Sequence, residues 1–256
     1  MNRRAIVLIS SLAVAVVIVV LACSIFAIGN VKVVTTSGLT FSDAQNDEIA
    51  AASGIKKGGS VFSLKEEAVI ANIERAVPWV KVITIERRFP SIVAINCTLR
   101  VPYIAVGVLG GGYALLDREL KVVGLSDSFG SGCIYIGGYM LESATAGEFV
   151  EIDWLSKLIA GAESTYFMED KLAYFIESLR YVTAHGDEDN YIDLTTNTGV
   201  HLIIYDSGDI SYVWQAIYAA YISSLKEGIY DISGGYIYPK VVDGKLIAAW
   251  AQYFPV

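Results

Sequence analysis

Two histidines, His185 and His201, are all the imidazole in this 256-residue chain, so proton shuttling near neutral pH has little to work with. No Gly-x-Ser-x-Gly elbow occurs, and no Ser-x-x-Lys stands beside complementary motifs. Ser63-Leu64-Lys65 and Ser156-Lys157 set hydroxyls near lysines, yet both fall in helix-start or surface patterns, where a hydroxyl serves as a cap. Asp187-Glu188-Asp189-Asn190 carries oxygens suited to a divalent cation, but Tyr191 stands where a calcium loop needs its next ligand and no glycine follows in place, so a solvated acidic turn is expected. Gly110-Gly111-Gly112 precedes a strand pattern rather than a helix and lacks a Gly-Lys-Ser/Thr, which makes it a turn rather than a phosphate cradle. Trp79, Trp154, Trp214 and Trp250 share no spacing for a sugar platform. The expectation is a chain with no catalytic, cofactor or metal site, whose chemistry is recognition.

The first element that would position a recognition surface is a tether. Ala5 to Ile28 is an uncharged apolar run behind Asn2, Arg3 and Arg4. At about 1.5 Å per residue it reaches about 36 Å, enough for a hydrocarbon core of about 30 Å. The positive end should stay inside, leaving residues 1–4 as a cytoplasmic tail, 5–28 as a single transmembrane helix and the rest outside the membrane. The run exceeds a secretory h-region, so cleavage is not expected. Val20-Leu21-Ala22-Cys23 resembles a lipobox, but apolar Ile25-Phe26-Ala27-Ile28 follows instead of a polar tether, and lipidation of Cys23 stays open. Setting aside Arg3 and Arg4, the net charge of −8 becomes −10 outside, which disfavours nucleic acid as a partner. For Cys97 and Cys133, buried free thiols are preferred over a bridge, and the bridge too stays open.

Beyond the tether, Val31 to Thr35 alternates as a strand. Ser42 with Gln45 makes a capping box for a short helix through Ile49 and Ala52, which Gly54 stops before the Gly58-Gly59 turn. Ser63, with Glu66 three residues on, is read as the cap of a second helix ending at Pro78. Val80 to Arg87 and Ile92 to Leu99 read as a hairpin. The order strand, helix, helix, strand, strand predicts an α+β domain over residues 29–100, two helices covering one face of a small sheet. Strand and turn patterns follow over residues 101–240: Tyr103 to Val108, Tyr113 to Leu116, Tyr191 to Leu194, Val200 to Tyr205, Ile229 to Ser233 and Tyr236 to Pro239. Helices are expected over Glu151 to Ala160, Met168 to Val182 and about Asp209 to Lys226, making a mixed β domain with flanking helices. Residues 241–256 are read as a C-terminal tail.

Ala52-Ser53-Gly54-Ile55 with Gly58, Phe62-Ser63-Leu64, Pro78-Trp79-Val80, Arg87-Arg88-Phe89-Pro90 and Arg100-Val101-Pro102 together resemble the POTRA domain of the FtsQ/DivIB cell-division proteins. The resemblance recurs in Leu115-Leu116-Asp117 with Val122-Val123-Gly124, in Ile192-Asp193-Leu194 with Gly199-Val200, and in Tyr230-Asp231-Ile232. It implies one membrane helix, a POTRA domain and a β domain, in a non-catalytic divisome scaffold at the septum. It also implies partners of the FtsB/DivIC and FtsL types, with the last strands of the β domain offering an edge. The positions matching that region are Tyr230, Asp231, Ile232, Ser233, Gly234, Gly235, Tyr236 and Tyr238. Two other readings are a POTRA-bearing translocation or assembly module and a surface-anchored hydrolase. The single repeat unit, without a barrel-length strand series, speaks against the first.

Overall fold

The computed structural model describes residues 11–18, 24–36, 38, 40–129, 132–164, 176–183, 189–227 and 234–253, the side chains of 225–227 excepted. The chain separates into two compact units, residues 1–100 and 101–256.

In the first unit residues 11–18 are helical, with Leu12, Val14, Val16, Val17 and Ile18 exposed. Among the described residues no helix is long and apolar enough to cross a membrane. Residues 5–10 and 19–23 of the expected span lie outside them. The far boundary of that span needs correction, because the helix ends at Ile25 and the next residues belong to the domain. Ala27 bridges to Ser60, Ile28 donates its N–H to Gly59 O at 2.7 Å, and its side chain is buried.

The domain proper runs β1 (Asn30–Thr35), α1 (Asp43–Ala52), α2 (Glu66–Ala76), β2 (Val80–Arg88) and β3 (Ile92–Leu99). Its sheet has the order β1-β3-β2, with β1 parallel and β2 antiparallel to β3. Ser42 and Gln45 form the expected reciprocal box at the start of α1. Ser63 is not a helix cap. It ends a 3₁₀ turn, Val61–Ser63, whose cap is Ser60, and α2 starts at Glu66 without a side-chain cap. Ile49 and Ile73 from the helices meet Val80, Val93, Ile95 and Cys97 of the sheet in one core, each such aliphatic side chain contributing about 1.5–3 kcal/mol. At the far end of the sheet Arg100 pairs with buried Glu74 at 2.9 Å, and Glu74 Oε1 also accepts the Val82 N–H at 2.9 Å. Losing either partner would leave a buried charge uncompensated.

Among the described residues the second unit is built on a nine-stranded sheet, β12-β11-β10-β9-β8-β7-β4-β5-β6. Its strands are β4 (Ile104–Val108), β5 (Tyr113–Leu116), β6 (Val122–Ser126), β7 (Ile134–Leu141), β8 (Ile176–Val182), β9 (Tyr191–Thr196), β10 (His201–Tyr205), β11 (Tyr236–Val242) and β12 (Lys245–Ala251). Gly110, Gly111 and Gly112, all at positive φ, make the turn between β4 and β5. Helices α3 (Asp153–Glu163) and α4 (Ile210–Glu227) lie in the crossovers that leave β7 parallel to β8 and β10 parallel to β11. Gly161 lets the two helices meet closely, since a Cβ there would stand 2.8 Å from Ser211 Cα. Leu155 and Leu158 of α3 and Trp214 and Ile217 of α4 fill the core against Ile136, Ile192, Leu194 and Leu202.

Two expectations fail here. The helix expected over Met168 to Val182 is a strand from Ile176 onward, residues 168–175 lying outside the described residues. The expected tail from 241 holds the end of β11 and all of β12.

Candidate partner-binding edge

The groups singled out for catalysis serve structure. Ser63 Oγ donates to Ser60 O, Ser156 Oγ donates to Asp153 O, and Lys157 donates to Asp153 Oδ2 at 2.6 Å, an ion pair that holds the ammonium pKa above its usual value. Of the acidic turn, Asp187 and Glu188 lie outside the described residues, as does His185, while Asp189 accepts from Ser207 Oγ. Among the described residues no three His, Cys, Asp or Glu side chains gather as a metal site. Cys97 and Cys133 are free thiols, and burial pushes Cys97 up to about 11.

The positions singled out for partner recognition lie towards one end of the large sheet. Of the positions singled out, Tyr230, Asp231, Ile232 and Ser233 lie outside the described residues. Gly234, Gly235, Tyr236 and Tyr238 lead into and form β11. That strand is an inner one, with β10 on one side and β12 on the other. Tyr236 stacks on the His201 ring at 4.7 Å between centroids, and His201 Nδ1 lies 2.8 Å from Asp193 Oδ1. Tyr236 is thus held against the neighbouring strands.

The sheet ends one strand further out. Antiparallel pairing runs from Tyr236 opposite Ala251 to Val242 opposite Lys245, with Asp243 and Gly244 both at positive φ in the connecting turn. Such a two-residue turn twists with the strands it joins, and Asp-Gly is a preferred sequence for it. That signal, between Val241-Val242 and Leu246-Ile247, was open to sequence reading and marks the element missed there. Among the described residues no strand lies beyond β12. Leu246 and Ala248 pack inward, whereas Ile247 is 44% and Trp250 40% exposed. Gly235 helps seat the strand: a Cβ on it would stand 2.8 Å from Trp250 Nε1, and its φ is +126°. Behind the hairpin, α4 packs on β10, β11 and β12. A strand at the end of a sheet, backed in this way, is of the kind that can offer main-chain donors and acceptors to a further strand, and Ile247 and Trp250 are apolar side chains exposed on it.

A three-stranded sheet under two helices, in a unit separate from a larger sheet, defines a POTRA-bearing protein of modular build. Residues 30–98 match the POTRA domain family of the FtsQ type. Over 99 residues, 39% of this chain, the sequence is 31% identical to the cell division protein FtsQ of Corynebacterium glutamicum. That match covers 41% of the relative, so the chain spans about two fifths of the curated protein it resembles. Residues 30–98 thus form a POTRA domain of the FtsQ type, and over this part the chain is similar to FtsQ/DivIB proteins.

Proposed function

We propose that this protein is a non-catalytic cell-division scaffold, anchored in the cell membrane by one helix within residues 5–25 and acting at the septum. Its amino terminus faces the cytoplasm and both folded units lie outside the membrane. A division role is supported by the FtsQ-type POTRA match and by the similarity to a relative named as a cell division protein. The main-chain edge of β12 receives a strand from an FtsB/DivIC-type membrane protein, itself paired with an FtsL-type chain. Carrying this reading is the sheet order among the described residues, in which Lys245–Ala251 stands at the end and Tyr236 and Tyr238 lie one strand inside it. Strand addition draws affinity from backbone hydrogen bonds and selectivity from alternate side chains.

Imaging a fluorescent fusion at the amino terminus while the protein is depleted tests the role. Midcell bands with filamentation are expected; a uniform signal with normal division would remove the function. Truncation after Gly244 tests the edge. Partner binding retained by a truncated protein that still folds would sink strand addition at β12.

A further inference from the structure

The first unit carries an apolar patch that its own core does not use. Phe26, Phe62 and Phe89 form a three-ring cluster, with centroid separations of 5.3 Å (Phe26–Phe62), 5.9 Å (Phe26–Phe89) and 5.6 Å (Phe62–Phe89). Phe62 is 63% and Phe89 58% exposed. Clustered aromatic exposure of this kind marks a contact surface. The rings are also fixed in place. Val61 donates its N–H to Phe26 O at 3.1 Å and Gly58 to Ile28 O at 2.8 Å, so the segment leaving the apolar run is stitched to the 58–61 turn. Arg87 holds the same turn from the sheet, donating from Nε to Val61 O and from Nη2 to Leu64 O, each at 3.1 Å.

What occupies the patch follows from what precedes it. Phe26 lies near the end of the apolar run, directly after the helix end at Ile25. If that run sits in hydrocarbon, Phe26 emerges at the boundary with the headgroups, and the backbone ties bring Phe62 and Phe89 to the same depth. Lys56 and Lys57, on the turn before Gly58, are exposed cations at that end, and Arg88, before Phe89, is exposed in an ion pair with Glu86 at 2.9 Å. Aromatic rings at the boundary with cations just outside them are the chemistry of the bilayer interface. The sheet agrees in direction: Asn30, Arg88 and Ile92 share this end, whereas Val80 and Leu99 pair at the other, next to the exit at Arg100.

We propose that Phe26, Phe62 and Phe89 seat the POTRA domain in the outer interface of the lipid bilayer, so that the domain stands on the membrane by this end and passes the chain on from the opposite one. The seat rests on the reading of residues 5–25 as a membrane anchor. It gives the domain a fixed orientation instead of free swing on a linker.

The test uses the full chain reconstituted in vesicles of phosphatidylethanolamine and phosphatidylglycerol, with a photoreactive benzoyl-phenylalanine placed singly at Phe62, Phe89, Ile83 or Leu12. Ile83 is exposed on β2, six residues from Phe89 and about 20 Å away along the strand. Lipid adducts at positions 62 and 89 roughly tenfold above those at 83 are expected, together with adducts at 12. Adducts at 12 with none at 62 and 89 would overturn the seat and leave the anchor standing. Equal adducts at 62, 89 and 83 would overturn it too, because contact would then have no preferred end. Absence of adducts at 12 would remove the anchor reading and the seat with it.

Discussion

The two ends of the nine-stranded sheet are finished differently. At the β6 end the segment 147–150 folds over the strand: Val122 donates its N–H to Glu148 O, Gly147 donates to Val122 O, and Lys121 bridges to Phe149 and lies 4.8 Å above its ring. The chain thus blunts the start of this edge, up to Val122, with its own backbone. At the β12 end no strand follows among the described residues, and the support comes from behind, where α4 packs on the last three strands. An edge covered from the side is protected, whereas one braced from the back stays available and rigid. The contrast is what supports the proposal of β12 as the docking strand.

The contrast can be broken most severely through the brace. Trp214 is fully buried on α4 and stacked on Tyr218, so Trp214→Ala should cost about 3–5 kcal/mol. Hydrogen exchange should then show β10 to β12 opening before β4 to β6. Gly235→Ala, which sets a Cβ against the Trp250 ring at a positive φ, should cost about 1–3 kcal/mol and weaken partner binding alongside; thermal melts and a binding titration read both. Ile247→Lys puts a charge on the open edge at an exposed site, so folding should hold while partner affinity falls about tenfold, near 1.4 kcal/mol. Asp243→Val places a β-branched residue at φ +52°, which should cost about 1 kcal/mol of hairpin stability, measured by denaturant midpoint. The matching change at the other end of the sheet, Leu125→Lys at an exposed position on β6, should leave partner affinity within error when docking is at β12.

How far residues announce such features varied with the physics of each segment. The capping box at Ser42 and Gln45 and the β2–β3 hairpin were legible because they rest on local chemistry, a reciprocal cap in one case and two β-branched runs either side of a short turn in the other, although the pairing shifts register between Val82 and Thr84. The stretch from Ile176 was not. A register shift between Ile176 and Ser178 upsets its period of two, and Ile176, Leu179 and Val182 then fall three apart, as a helix would have them. Ser63 and Glu66 have capping-box spacing, but Ser60 closes a 3₁₀ turn first and moves the helix start to Glu66. At the candidate edge the described positions read from sequence, Gly234 to Tyr238, lead into and lie on β11, and Asp243-Gly244 between two β-prone runs marks the hairpin that carries its neighbour β12. Which strand ends a sheet depends on pairing across the whole unit, and no local pattern encodes that.

Amide hydrogen exchange of the full chain with and without the extracytoplasmic part of an FtsB/DivIC-type partner tests the central claim most directly, because strand addition protects main-chain N–H groups. Protection confined to Lys245–Ala251, with Val122–Ser126 unchanged, is the predicted result. Binding that leaves β12 exchange unaltered, or that protects β6 in its place, would contradict the account.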